Sequence, residues 1–239
     1  MGEGKRALRG ILMTSSEEDL DCAIWRWFFR ELTVWGSENF REFDWRTSRM
    51  PYKIFLSEIL LRRTTGRAVS RVFNKLVNRY PTLNDLSRLE SLSEDLRPMG
   101  LGNQRSTQIK SAAKFILEKF GGEIPSEVES LLLVPGIGKY SARAISCFAF
   151  DKPVSIVDSN VRRVVSRFIG RSGVTDEQLY AFLDHAIRGE TSSRAFNYAI
   201  LDLGALICKP RHELCAECPL RENCVHSRKQ ITKIQELRI

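Results

Sequence analysis

At 239 residues with 43% hydrophobic content, the chain is long enough to bury a sizeable core, in one compact domain or two packed lobes. Its 37 basic residues outnumber 29 acidic ones, giving a net charge of +8 and a pI near 9.3, a balance that favours a polyanionic partner without identifying one. No apolar run reaches the roughly 18 residues that span a bilayer, and the opening MGEGKRALRGILMTSS lacks the apolar core of an export signal.

Residues 1–14 read as a loose arm. Ser15-x-x-Glu18 offers a capping box for a helix running to about Leu32, with Leu20, Ile24, Trp27 and Phe28 on one face. Phe43-Asp44-Trp45-Arg46, running on to Pro51, reads as a linker packed onto the body of the protein. The spacing of Tyr52, Phe55, Leu56, Ile59 and Leu60 predicts a helix from Pro51 to about Arg62. Val69, Phe73, Leu76 and Val77 predict another over Gly66 to Arg79, ended by Pro81. Short helices are expected at Leu83 to Leu89 and Ser91 to Leu96, then a loop at Gly100-Leu101-Gly102-Asn103. Gln104 to Phe120 is a long amphipathic helix stopped by Gly121-Gly122, and Ser126-x-x-Glu129 is expected to cap the next.

The stretch Leu131 to Phe168 reads LLLVPGIGKYSARAISCFAFDKPVSIVDSNVRRVVSRF. Two apolar helical segments meet at Pro135-Gly136-Ile137-Gly138, where glycine permits positive φ and close approach of another backbone. N–H groups at the start of the second helix then point outward as a phosphate site, with Lys139 alongside. Asp158, before S-N-V-R-R-V, suits an ordinary helix N-cap. Further helices are predicted to about Phe168, from Thr175-x-x-Gln178 to about Ile187, and from Ser192 to Ile207. No segment alternates as a strand would, so the chain reads as all-α, with a charged tail over 227–239.

Four of the six cysteines crowd into one stretch, Cys208, Cys215, Cys218 and Cys224, spaced C-x6-C-x2-C-x5-C. That crowding suits an intracellular metal site better than a disulfide framework. Thiolates so spaced converge on one metal or cluster, and four cysteines taken alone suit zinc. Cys22 and Cys147 sit on apolar helical faces and read as core.

The combination PGIGKY…VDSNVRRV resembles the helix-hairpin-helix plus Gly/Pro-Asp motif of the DNA glycosylase superfamily that includes endonuclease III and the adenine DNA glycosylases, and residues 40–226 follow that pattern. The resemblance implies a two-lobed, all-α, endonuclease III-like fold. Its six-helix barrel lobe would cover 48–165 and its cluster lobe 1–47 with 166–228, leaving 229–239 as a tail, with DNA in the cleft. It implies that Gly136, Gly138 and Lys139 grip the DNA backbone. Asp158 would serve the glycosidic bond, where a carboxylate stabilises oxocarbenium-like charge and helps water attack C1′. Tyr140 stands where bifunctional members carry a nucleophilic lysine, and a phenol cannot form an imine, which implies a monofunctional enzyme.

Other positions carry over in the same way. Glu58, in SEILLRRTT, matches a glutamate of the adenine glycosylases and of the archaeal-type thymine-DNA mismatch glycosylases, where a dry pocket would keep it protonated to donate to the departing base or fix a water. Read from its helix alone, Glu58 borders the apolar stripe and does not sit squarely on a solvent face, with a partly exposed helix glutamate as the alternative. Asn160 would orient a water or the carboxylate. Arg62 and Leu101 fall where relatives insert side chains beside the flipped nucleotide and the opposing base. The cysteine spacing after a long helix resembles a [4Fe-4S] loop. EILLRRTT, GLGNQR and a chain that ends soon after the cysteines favour the archaeal-type thymine-DNA mismatch glycosylases. The implied function is removal of thymine or uracil from T·G and U·G mismatches in double-stranded DNA, by a monomer that is cytoplasmic and nucleoid-associated in a prokaryote. The alternatives are adenine removal opposite guanine or oxidised guanine, a lyase using another lysine, and a non-catalytic DNA-binding iron-sulfur module.

Overall fold

The computed structural model describes residues 15–100, 102–188 and 192–228, with side chains from residue 23 onward. The expected arm over 1–14, Cys22, Leu101 and the tail over 229–239 therefore fall outside the described residues or side chains. Among the described residues every regular element is helical, as the patterning predicts, and no helix is long and apolar enough to cross a membrane. The chain forms two compact units, 42–152 and 1–41 with 153–239.

In the unit 42–152, α1 is a single turn, Asp44–Thr47, and α2 is Pro51–Leu61. They are followed by α3 (Gly66–Arg79), α4 (Leu83–Arg88), α5 (Ser93–Leu96), α6 (Gly102–Phe120), α7 (Val128–Leu132) and α8 (Lys139–Phe150). The centre is α2: every residue from Ile54 to Leu60 is buried, because α1, α3, α6 and α8 all pack on it. A helix covered all round shows no single apolar stripe, which is why the sequence understates its burial. Each large aliphatic or aromatic side chain hidden there contributes about 1.5–3 kcal/mol of transfer free energy. The predicted linker is α1: Trp45 is buried edge-on to Phe73, ring centroids 5.3 Å apart. Two local expectations shift. α6 begins at Gly102, not Gln104, and α7 is N-capped at Glu127 without a side-chain bond. Ser126 does not cap it. Its carbonyl instead accepts from the Ser146 hydroxyl, which ties the helix start to α8.

In the other unit, α9 is Ser15–Glu38, α10 Ser159–Ile169, α11 Asp176–Ile187 and α12 Ser193–Leu206. α9 runs six residues past the predicted end at Leu32. Its last turns lie close against α12, where a Cβ built on Gly36 would stand 2.5 Å from that of Ala199. The buried stripe is Trp25, Phe28, Phe29 and Leu32, rotated from the predicted face, with Ile24 and Trp27 at its margins. Trp25 meets Phe168 of α10 at 5.4 Å and Phe29 stacks on Phe196 of α12 at 4.9 Å, so aromatic contacts knit three helices. Thr175 and Gln178 form the predicted capping box of α11.

The boundaries between the units differ from the expected 47/48 and 165/166. They fall at 41/42 and 152/153, because α10 packs against α12 and α11 and so belongs with the C-terminal helices. Asp158 and the four cysteines consequently share one unit.

Candidate functional site

Asp158 is delivered by an extended segment that a half-buried carboxylate and a buried amide fasten down. The Ser155 amide donates to Asp184 Oδ1 at 2.6 Å, and the Ile156 amide to Asn197 Oδ1 at 2.9 Å. The Asn197 Nδ2 returns a bond to the Val154 carbonyl at 3.0 Å. Asn197 is fully buried, and a buried amide is retained where each of its polar atoms is satisfied. Sequence reading missed it. The visible signal was an asparagine inside the apolar run of α12.

At the end of this segment Asp158 caps α10. Its Oδ1 accepts from the Val161 amide and its Oδ2 from Asn160 Nδ2, both at 2.8 Å. Asn160 Oδ1 accepts from Arg163 Nη2, also at 2.8 Å. An arginine only donates, so Arg163 fixes which end of the Asn160 amide faces it and presents the NH2 group to Asp158. Arg163 is held in turn by the Gly204 and Cys208 carbonyls, both at 2.7 Å. A continuous hydrogen-bonded path therefore runs from Asp158 through Asn160 and Arg163 to the backbone of the first clustered cysteine. Arg163 is a second residue that the sequence did not mark.

The close approach of α12 to α10 has a sharp test. A Cβ on Gly204 would lie 2.6 Å from Asn160 Cβ and 3.3 Å from its backbone. Gly204→Ala is expected to cost about 1–3 kcal/mol of stability through overpacking, and to shift Asn160 away from Asp158. Urea unfolding measures the first effect and a crystal structure of the variant the second.

Cys208, Cys215, Cys218 and Cys224 line one cavity, together with Arg167, Glu213 and His226. Burial, followed by neighbouring sulfurs, pushes the Cys218 thiol up to about 12, and burial raises Cys215 and Cys224 as well. Four thiolates in such a place need cationic compensation, which a bound metal or cluster provides. Arg167 supplies part of it, with Nη1 3.4 Å from Cys208 Sγ. Among the described residues, Glu213, Cys215 and His226 form a mixed donor set whose ligand atoms lie within 4.8 Å of one another. Glu213 and His226 already pair at 2.8 Å. The donor chemistry fits a thiolate-ligated group, and the structure adds a Glu–His neighbour that the spacing could not show. Cys147 is buried, as expected of core.

The remaining predicted residues belong to the unit 42–152. Glu58 is 3% exposed and its Oε2 has no hydrogen-bond partner among the described residues. Burial pushes its pKa up to about 8, against a partial downward pull from Arg46. The exposed-surface reading of Glu58 is thereby overturned. Gly136 sits at φ 82°, the left-handed turn that glycine permits, and Gly138 is the N-cap of α8, with Lys139 exposed beside it. The N–H groups that open a helix suit an anion. Tyr140 follows, half-buried. Arg62 is exposed and donates to the Gly136 carbonyl at 2.7 Å, tying the end of α2 to the hairpin.

The HhH-GPD superfamily base excision DNA repair protein family matches residues 56–188. A thymine/uracil-DNA glycosylase of Methanothermobacter thermautotrophicus is 34% identical over 204 residues, 83% of this chain and 91% of that protein. The structure of a thermostable thymine-DNA glycosylase is similar at a TM-score of 0.82 with 31% identity, covering 89% of this chain and 99% of that one. A trapped endonuclease III–DNA covalent intermediate superposes at 0.75 with 22% identity, covering 92% and 100%, a likeness of fold alone.

Proposed function

The chain belongs to the HhH-GPD superfamily of base excision DNA repair proteins, and from that premise we propose that it removes thymine and uracil mispaired with guanine, as a monofunctional glycosylase. It is a DNA glycosylase, and DNA is its substrate. The choice of base rests on the thymine/uracil-DNA glycosylase likeness, which extends over nine-tenths of that relative. The observation that carries the chemistry is the Asp158 carboxylate at the start of α10, held by one backbone amide and one oriented side-chain amide.

The reaction is hydrolysis. The C1′–N bond breaks with its electron pair leaving on the base. Water oxygen bonds to C1′, and the base leaves with one proton from a general acid. The proton lost by the water passes to the carboxylate, and solvent returns both carboxyl groups to their starting states. Free base and an abasic sugar result. Asp158 stabilises the positive sugar and accepts a proton from the attacking water in passing. Asn160 keeps the carboxylate in place. Glu58, with a pKa near 8, carries a proton at neutral pH and is suited to donate it to a departing base. Selectivity for a mismatch draws on the lower cost of unstacking a weakly paired base. The exposed α8 start with Lys139 binds phosphate, and Arg62 and Leu101 support the opened duplex.

Tyr140 is the basis for the monofunctional reading. Tyr140→Lys is expected to gain strand-nicking lyase activity and to be trapped on DNA by borohydride; an amine there that yields no trapped imine would contradict this placement.

A [4Fe-4S] cluster is the group assigned to Cys208, Cys215, Cys218 and Cys224. When bound it organises the loop after α12 and leaves base hydrolysis to the residues above. Broad visible absorbance supports it, and a colourless protein holding zinc contradicts it. The enzyme is assigned as a cytoplasmic monomer, acting on nucleoid DNA in a prokaryote. The direct test of mismatch dependence is thymine release from T·G against T·A duplexes: fast release only from T·G is expected, and equal rates would refute it.

A further inference from the structure

Arg105, one turn into α6, is 3% exposed. Its Nη1 donates to the Gly100 carbonyl at 2.5 Å and its Nη2 to the Arg62 carbonyl at 2.6 Å, while its Nε is buried without a partner. Burial, then the neighbouring Arg62 guanidinium, lowers its pKa, and no carboxylate among the described residues pairs with it. A buried cation without a counter-charge is unfavourable for folding. What a guanidinium offers in exchange is a rigid planar fork that spans two acceptors at a fixed distance.

The two acceptors belong to different loops, Gly100 five residues and Arg62 43 residues from Arg105. One is the turn after α2, in which Arg63, not a glycine, sits in the left-handed region at φ 54°. Such a turn persists only where surrounding contacts over-determine it. The other is the loop that reaches Gly100, at φ 72°, immediately before Leu101. The same loop is pinned from its far side, where the Ser93 hydroxyl donates to Asn103 Oδ1 at 2.5 Å and the Leu92 amide to the Ser106 hydroxyl at 2.7 Å. Each loop thus carries one residue assigned above to supporting the opened duplex, and Arg105 joins the backbones of both.

We infer that Arg105 is a positioning residue, a buried staple that holds the Arg62 turn and the loop backbone at Gly100 at a fixed separation, so that the cost of extruding the target nucleotide is lowered by a pre-formed backbone frame. This rests on the glycosylase reading above. Arg105 has no contact with DNA in this role, and its effect is confined to the flipping step.

The test uses the full chain with Arg105→Met, which keeps bulk but removes the donors, and Arg105→Lys, which retains the cation without the fork. Two duplexes carry 2-aminopurine beside the target thymine. One pairs the thymine with guanine, and the other places it opposite an abasic site, where there is no partner to break. With Arg105→Met, both the fluorescence rise and thymine release on T·G are expected to slow by about tenfold or more, with near-wild-type DNA affinity, and to recover most of the loss opposite the abasic site. Arg105→Lys should show the same pattern at smaller amplitude, and it carries the comparison if the Met variant melts below assay temperature. Equal loss on both duplexes makes Arg105 a fold residue only and overturns the inference, as does a wild-type rate on T·G. A wild-type protein that releases thymine from neither duplex overturns the glycosylase reading, and the staple's role falls with it.

Discussion

Asp158→Asn is expected to reduce base release by at least about 100-fold, the scale for a charged group whose main interaction forms in the transition state. DNA binding and fold should survive. Asparagine caps helices about as well as aspartate, so the bond from the Val161 amide can be kept. What is lost is the negative charge facing the sugar. A second loss follows from orientation: Asn160 is committed to Arg163 through its oxygen, so it offers NH2 to position 158, where an amide NH2 would meet it donor to donor. Single-turnover rates set beside affinity for an uncleavable mismatch duplex separate these effects. Activity within tenfold of wild type would remove Asp158 from the mechanism.

Glu58→Gln should move stability and activity in opposite directions. Below the ordinary carboxylate range both folded and unfolded chains carry a protonated Glu58, and ionisation adds no cost to burial. As pH rises from that range towards about 8, the unfolded chain releases its proton while the folded chain holds it, so the wild type loses stability throughout that window. Above about 8 the loss is complete. Glutamine does not titrate, so the variant should gain on the wild type between pH 5 and pH 8.5, by as much as roughly 4 kcal/mol if the whole shift is realised. Urea unfolding at the two pH values measures the difference, and an unchanged difference would place Glu58 in a more hydrated site than its 3% exposure indicates. Base release should fall by at least about tenfold, since the amide cannot donate a titrating proton. Wild-type activity should itself decline as pH passes about 8.

What could be read from the chain, and what could not, follows how local each feature is. Asp158 and its cap, the Thr175–Gln178 box and the Pro135–Gly138 hairpin depend on residues within one helical turn, and the structure keeps them where the pattern places them. The four cysteines, all within the short stretch Cys208 to Cys224, line one cavity. Glu58 was ambiguous, because its burial is imposed by helices on every side of α2 and not by its own periodicity. Arg105, Arg163 and Asn197 went unassigned, since each acts through backbone carbonyls or amides more than forty residues away. Ser126 failed as a cap because its neighbour Glu127 took that position, leaving the Ser126 carbonyl to Ser146. The compact units end at 41/42 and 152/153 and not at the expected positions, because α10 packs on α12 through Gly204 and Asn160, which lie far apart in sequence.

The most direct measurement is single-turnover base release from one set of duplexes: T·G, U·G, A·G, A opposite oxidised guanine, and matched pairs, with hot alkali added to half of each sample. Release of thymine and uracil opposite guanine, with strand breaks only after alkali, is the expected result. Release of adenine, or nicking without alkali, would contradict the assignment of a monofunctional thymine/uracil mismatch glycosylase.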